Sequence, residues 1–301
     1  MLNQMKMVED WRGYVKALSE LDLANSADVD HRIFEEAYTN IVLEGASIST
    51  QRAMSMVENE EEPQTSSEKE FLNYFSLLRD MDHFVGNPGE RREELREIEI
   101  RQIHSMIVED TLADSRDAGR YRTGPVTVGQ RDEDGSVKVF HQPPEATEVP
   151  YLMSTFVDWL NTASKGGKGK LNALIIAALA HYEFVRIHPF VDGNGRTARF
   201  LTTALLLRHG YDFRKLFCIT EHYNRDRNKY SSTLRSVDEE KMLYQFLPAI
   251  VATQDAEPKA QSIVVHDASA WVEYFLGGLA RQMLLSQRQM INRKDRRSFD
   301  S

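Results

Sequence analysis

The sequence predicts an all-α protein, a helical bundle interrupted by one small β-hairpin. Apolar residues recur at three- and four-residue intervals along most of the 301-residue chain, while a period-two alternation is confined to one stretch between Tyr121 and Phe140. The composition, 41% hydrophobic and 28% charged, is that of a globular protein able to bury a core.

In order along the chain, the helical period runs through Trp11 to Leu23, His31 to Leu43, Glu70 to Phe84 and Glu93 to Ile107, with a polar, acidic link from Glu58 to Glu68. The alternating stretch carries Val126-Thr-Val-Gly and Val137-Lys-Val-Phe around Asp132-Glu-Asp-Gly, the pattern of a hairpin. Pro143-Pro144 ends its second strand, because proline cannot donate to a ladder. From Thr147 to Asn161 the residues Val149, Leu152, Met153, Phe156 and Leu160 share one side of a further helix. A loop from Thr162 to Lys170 follows, and its Gly166-Gly-Lys-Gly-Lys tract lacks the spacing and the preceding strand of a phosphate loop. Helices are expected at about Lys170 to Val185 and Asn194 to His209, the second closed by Gly210. The last periodic segment, Asp267 to Gln287, is striped as a bundle or self-association helix.

Several classes are disfavoured by the same composition. The most apolar run, Leu171 to Ala180, is too short to cross a bilayer, so no membrane partner is expected. The opening residues are too polar for a secretory segment, and the single cysteine, Cys218, reads as a small core residue. Both observations point to the cytoplasm. A net charge of -9 argues against a nucleic-acid surface, despite the basic tail from Arg288.

Chemistry concentrates in His188-Pro-Phe-Val-Asp-Gly-Asn-Gly-Arg-Thr-Ala-Arg199, between two apolar helices. Gly193-Asn194-Gly195 can turn tightly so that backbone N–H groups converge at a helix N-terminus, which is a phosphate site. Arg196 and Arg199 fall on the first helical turn, within reach of oxygens held there. Asp192 beside an anion calls for a cation between them, and Mg2+ with its preference for carboxylate and phosphate oxygen fits. His188, with an ordinary pKa of about 6.5, suits proton abstraction from an alcohol. Each residue alone has an ordinary structural use as core histidine, turn, helix cap or solvated arginine. Only their joint order and spacing carry the functional reading.

This stretch resembles the Fic signature H-P-F-x-[DE]-G-N-G-R-x-x-R at every defined position. Gly119-Arg-Tyr-Arg-Thr is similar to the family's G-x-Y-R segment, and Pro143-Pro144 with Val149-Pro150-Tyr-Leu-Met resembles its flap and following helix. The resemblance implies a Fic-type helical bundle with a β-hairpin flap over an ATP site. It assigns His188 as base, Asp192 as Mg2+ ligand, Gly193, Asn194, Gly195 and Arg196 as phosphate cradle, and Arg199 as the γ-phosphate contact. Gly195 stands where the Doc branch carries Lys, which favours transfer of AMP over phosphorylation. Upstream, Asn40-Ile-Val-Leu-Glu44-Gly45 resembles the inhibitory motif [ST]-x-x-x-E-[GN], with Asn40 in place of Ser or Thr. Glu44 would then compete with ATP for Arg199. Lys229-Tyr230-Ser231 is similar to a K-Y-Y segment near the adenine pocket of some relatives, which makes Tyr230 a nucleotide-pocket candidate.

The expected organisation is therefore residues 1–110 as N-terminal helices with the candidate inhibitory helix, 111–250 as core with flap and nucleotide site, and 251–301 as a helical extension. The expected activity is a protein adenylyltransferase moving AMP from ATP to a hydroxyl side chain of a target protein. Removal of AMP by the same site, or an idle interaction module, are the alternatives. The flap strand near Val137 to Phe140 could receive a target segment by strand addition, and homo-oligomers are compatible with the last helix.

Overall fold

The computed structural model describes residues 1–10, 26–85, 94–131, 137–165, 171–211, 218–238, 241–244, 262–265 and 267–299. Its helices are α1 (residues 2–10), α2 (Ser26–Leu43), α3 (Thr50–Glu58), α4 (Ser66–Arg79), α5 (Met81–Val85), α6 (Glu97–Ile107), α7 (Val149–Ser164), α8 (Ala173–Ile187), α9 (Asn194–Arg208), α10 (Ile219–Arg225), α11 (Arg227–Asp238) and α12 (Ser269–Phe299). The expected helix from Trp11 to Leu23, the glycine-lysine tract and the hairpin tip at Asp132 to Gly135 lie outside the described residues.

Helices α8 and α9 form the centre. α8 is apolar almost all round, with Leu174, Ile176, Ala177, Ala178, Phe184 and Ile187 buried, as a helix surrounded by others must be. It packs along α9, with α7 and α12 against its other sides. α9 is covered in turn by α5 and α6, and α2 bridges α4 and α10. Trp271 of α12 is fully buried and donates its indole N–H to Ala178 O at 2.7 Å, which fixes the C-terminal helix to the core.

Local chemistry sets the boundaries. Asn172 caps α8 by accepting from Leu174 N at 2.8 Å, and Thr65 caps α4 by accepting from Glu68 N at 3.2 Å. The segment expected as one helix from Glu70 to Phe84 is two, because Asp80 closes α4 and α5 restarts at Met81. α9 ends as anticipated. Gly210 has φ +79°, its N–H reaches Leu207 O and that of Tyr211 reaches Leu206 O, a Schellman closure.

The expected hairpin is present as β1 (Val128–Arg131) and β2 (Val137–His141), antiparallel with Gly129 opposite Val139 and a register shift between Val128 and Gly129. It is shorter than the alternation suggested. Residues 121–127 do not join the ladder, and the Arg122 N–H pairs instead with Pro189 O at 2.9 Å. A second ladder, β3 (Lys241–Tyr244) with β4 (Ser262–Val265), was not anticipated, since its strands lie too far apart in sequence for a hairpin signal.

Candidate active site

His188 follows the last turn of α8 in the left-handed region, φ 50° and ψ 59°, its own N–H still bonded to Phe184 O at 3.0 Å. That reversal turns the chain from α8 into the motif loop. A β-carbon-bearing residue there is strained and must be held by its surroundings. Arg122, buried at 3% exposure, does so: its Nε–H donates to His188 O at 2.8 Å and an Nη2–H to Pro144 O at 2.6 Å. One guanidinium thus ties the loop to the base of the flap. The imidazole Nδ1 lies 3.3 Å from Val185 O, and a carbonyl can only accept, so Nδ1 carries the proton and Nε2 presents its lone pair. Burial lowers the pKa to about 4, against the opposing pull of the Val185 carbonyl, so the ring is neutral at neutral pH and its Nε2 lone pair is free of a proton.

The loop is clamped from within. Phe190 N–H donates to Asn194 Oδ1 and Asn194 Nδ2–H to Phe190 O, both at 2.9 Å. Both ends of the Asn194 amide are thereby used, and what this residue offers a phosphate is its backbone N–H. The fully buried Phe190 ring lies flat on His104 of α6, centroids 3.6 Å apart and planes 7° apart. Gly193 has φ +73°, and a β-carbon would fall 2.7 Å from Val108 Cγ1, so glycine is required on two counts. From Asn194 onward the first N–H groups of α9 have no partner within the helix, an arrangement able to receive an anion.

Asp192 stands at the loop's outer edge with its side chain 57% exposed. One carboxylate oxygen accepts from Gly193 N at 2.6 Å and the other from Arg196 Nη2 at 3.1 Å. An accessible hard-oxygen donor beside an anion cradle suits Mg2+.

The two motif arginines, each 2% exposed, turn to different partners. Arg196 lies between Asp192 and Glu70 of α4, the latter at 3.3 Å. Arg199 donates through Nη2 to Asn40 Oδ1 at 2.8 Å and to Glu44 Oε1. Burial would raise the Glu44 pKa, but Arg199 and then Arg196 outweigh it and hold the carboxyl below its ordinary value.

Glu44 is delivered by the end of α2. Gly45, φ +89°, donates to Val42 O at 2.9 Å and Ala46 to Ile41 O at 3.2 Å, a second Schellman closure with Glu44 as the helix cap. Arg227 of α11 donates to Val42 O at 2.8 Å and steadies the same turn. Gly195 makes room: a β-carbon there would sit 2.5 Å from Glu44 Oε1 and 3.0 Å from Arg199 Nη1.

Tyr230 of α11 bonds His181 Nε2 at 2.9 Å, while His181 Nδ1 meets Thr202 Oγ at 3.0 Å. The Thr202 hydroxyl donates to Ala198 O at 2.7 Å, so it accepts from His181, whose Nε2 therefore accepts from Tyr230. Burial lowers the His181 pKa to about 3, in keeping with a neutral ring. His188, Glu44, Gly195, Arg199 and Tyr230 all line one cavity of about 210 Å³, walled by Phe140, Val185 and Leu234. The flap closes one side. His141 Nε2 meets Arg186 O at 2.8 Å, and the Arg235 guanidinium lies 4.9 Å over the Phe140 ring.

Of the sequence-expected residues, the cavity gathers five. Asp192 and Arg196 stand outside its lining, and Gly193 and Asn194 are buried in the loop behind it. The sequence singled out neither His104, Glu70 nor His181. His104 sits on an apolar stripe with Ile100, Ile103 and Ile107 and has no local motif to mark it.

A model of the Fic/DOC family matches residues 94–206 of this chain. The chain carries a Fic/DOC-family domain. Protein adenylyltransferase Fic of Drosophila willistoni is 30% identical over 198 residues, 65% of this chain and 36% of that protein. The protein of the same name from Nematostella vectensis is 31% identical over 178 residues, 59% and 38% of the two chains. The chain thus spans well under half the length of these curated relatives. A Fic family protein from Desulfovibrio desulfuricans G20 superposes with a TM-score of 0.71 at 21% identity, covering 96% of this chain and 74% of that one. A Fic domain containing signaling protein from Bacteroides thetaiotaomicron gives 0.68 at 24%, covering 95% and 97%. These likenesses establish the Fic fold, a helical bundle with a β-hairpin flap, and among the described residues no helix is long and apolar enough to cross a membrane.

Proposed function

We propose that this Fic-domain protein is an Mg2+-dependent adenylyltransferase that moves AMP from ATP to a hydroxyl of a target protein, and that Glu44 holds it inactive. The observation that carries the reading is one cavity where His188, the N-terminus of α9 and Arg199 meet. The named activity of the relatives from Drosophila and Nematostella supports the same reaction.

His188 Nε2 takes the proton of the target hydroxyl as its oxygen attacks the α-phosphorus of ATP. The bond from the α-phosphorus to the bridging oxygen breaks, and pyrophosphate leaves. Backbone N–H groups from Asn194 to Arg196 hold the phosphates, and Arg199 holds the γ-phosphate once Glu44 releases it. Asp192 would hold Mg2+, which neutralises charge on the phosphates when bound. The small residue at 195 leaves room for the α-phosphate. Labelled ATP followed by intact-mass measurement tests the reading. One AMP gained per site is expected, a gain of one phosphate replaces the proposal with phosphorylation, and no gain under any condition leaves an interaction module.

A second reading rests on Glu44 sharing the cavity with His188. There the carboxylate positions water for the reverse reaction, removal of AMP. Wild-type protein added to a self-labelled Glu44→Gly chain would strip the label if this operates.

A further inference from the structure

The outer face of the motif loop is open, with Val191 40% exposed and the Asp192 side chain beyond half. What holds the Asp192 backbone comes from the inner side. His104 Nδ1 lies 3.0 Å from the Gly119 N–H, which can only donate, so Nδ1 accepts and the ring proton sits on Nε2. That Nε2–H points at Asp192 O, 3.0 Å away. Both ring nitrogens are thereby committed to backbone, and the fully buried ring is held flat by Phe190.

We propose that His104 is a positioning residue for the Asp192 carboxylate, fixing the Asp192 peptide through its Nε2–H so that the side chain meets a magnesium ion at the phosphate cradle. This rests on the reading of Asp192 as the metal ligand. The neighbouring fixtures hold other atoms: the Asn194 amide clamps Phe190, while Gly193 N–H and Arg196 Nη2 bond the two Asp192 carboxylate oxygens, and that Gly193 N–H belongs to the same peptide whose carbonyl His104 holds. Without the tether, the Asp192-Gly193 peptide is free to rotate, its N–H moves away from Asp192 Oδ1, and the carboxylate loses its preset direction. Partners of this outer kind are worth 10–100-fold in metal affinity.

The two ring nitrogens can be separated by substitution. His104→Gln keeps a donor at the Nε2 position, His104→Asn keeps only an acceptor at the Nδ1 position, and His104→Met has the length of glutamine with no donor. Each is made in the full chain with Glu44→Gly, so that nucleotide can enter, and ATP affinity is measured by calorimetry across a magnesium titration and in chelator. Thermal unfolding is recorded in parallel. Gln should hold the magnesium midpoint within about 3-fold of its parent, whereas Asn and Met should raise it about 10-fold or more, with ATP affinity in chelator unchanged. All three are expected to lose some thermal stability, so stability alone does not separate them. If the Asn variant fails to fold, Gln against Met gives the same comparison. Equal midpoints for Gln and Met, or midpoints for Asn and Met at the parent value, overturn the proposal. Asp192→Ala serves as reference. If it too matches its parent, the metal assignment itself fails and the positioning proposal falls with it; if it alone shifts, only the proposal for His104 is lost.

Discussion

Glu44 and Asn40 share one guanidinium nitrogen, Nη2 of Arg199, from consecutive turns of the same helix. The four-residue spacing places both on one face of α2, and the Schellman turn at Gly45 fixes how far the carboxylate extends. Asn40, standing where the related inhibitory motif has Ser or Thr, still supplies an oxygen.

Glu44→Gly should raise transfer. With the carboxylate in place, ATP must displace it from Arg199 or bind with its α-phosphorus out of line, and errors of about 1 Å cost on the order of 10²-fold. The same change leaves a buried Arg199 with only Asn40, so stability should fall by about 1–3 kcal/mol in the absence of nucleotide. Activity and melting temperature are thus expected to move in opposite directions, and Arg199→Ala added on top should cancel the gain. Initial rates and thermal melts of the three proteins check this. No gain in rate from Glu44→Gly removes the inhibitory role.

Gly195→Ala should couple to Glu44. The added β-carbon would meet Glu44 Oε1 at 2.5 Å, and the far end of that flexible side chain is what must move. The rate increase produced by Glu44→Gly should therefore be several-fold smaller when Ala occupies 195, whatever alanine does to the cradle itself. A double-mutant cycle of transfer rates measures it. Additive effects would separate the two sites.

His188→Ala should remove about 10²–10⁴-fold of the rate while ATP affinity stays near its starting value, because the base takes a proton and holds no phosphate. With its pKa lowered to about 4 by burial, the base loses its lone pair only as pH falls through that value. In the Glu44→Gly chain, kcat/KM should keep its histidine limb near pH 4. A limb at the ordinary 6.5 would mean that His188 titrates exposed or that another group is the base.

Acid should destabilise the fold from about pH 6.5 downward. His181 has a folded pKa of about 3 and His104 about 4, both lowered by burial, while the unfolded chain protonates near 6.5. Between those values the unfolded state binds more protons, so stability is lost as pH falls. Glu36 and Glu70, whose pKa burial raises, act in the opposite direction. His181→Gln separates the contributions: its melting temperature should depend less steeply on pH between 7 and 5 than that of wild type. Parallel slopes would exclude His181.

How the helices lie was largely legible because each carries its own signal. The apolar periods of α8 and α9, Gly210 as the closure of α9 and the prolines after β2 act over a few residues, so local sequence decides them. The break at Asp80 and the β3–β4 ladder were not legible. In the first, helical periodicity runs on through the cap, and in the second, pairing depends on strands brought together by the rest of the fold.

The sequence by itself determined that His188, Asp192, Gly193 to Arg196 and Arg199 share one turn feeding one helix, because they sit within twelve residues. Only the tertiary structure decided what those residues do at rest. Glu44 reaches Arg199 across 155 positions, Glu70 and Asp192 divide Arg196, and His104 holds the Asp192 peptide from 88 positions away. A charge or hydrogen bond acts over a few ångströms of space. Side-chain contacts from α2 and α4 and the packing of α6 on α9 create that proximity, and no spacing along the chain encodes it.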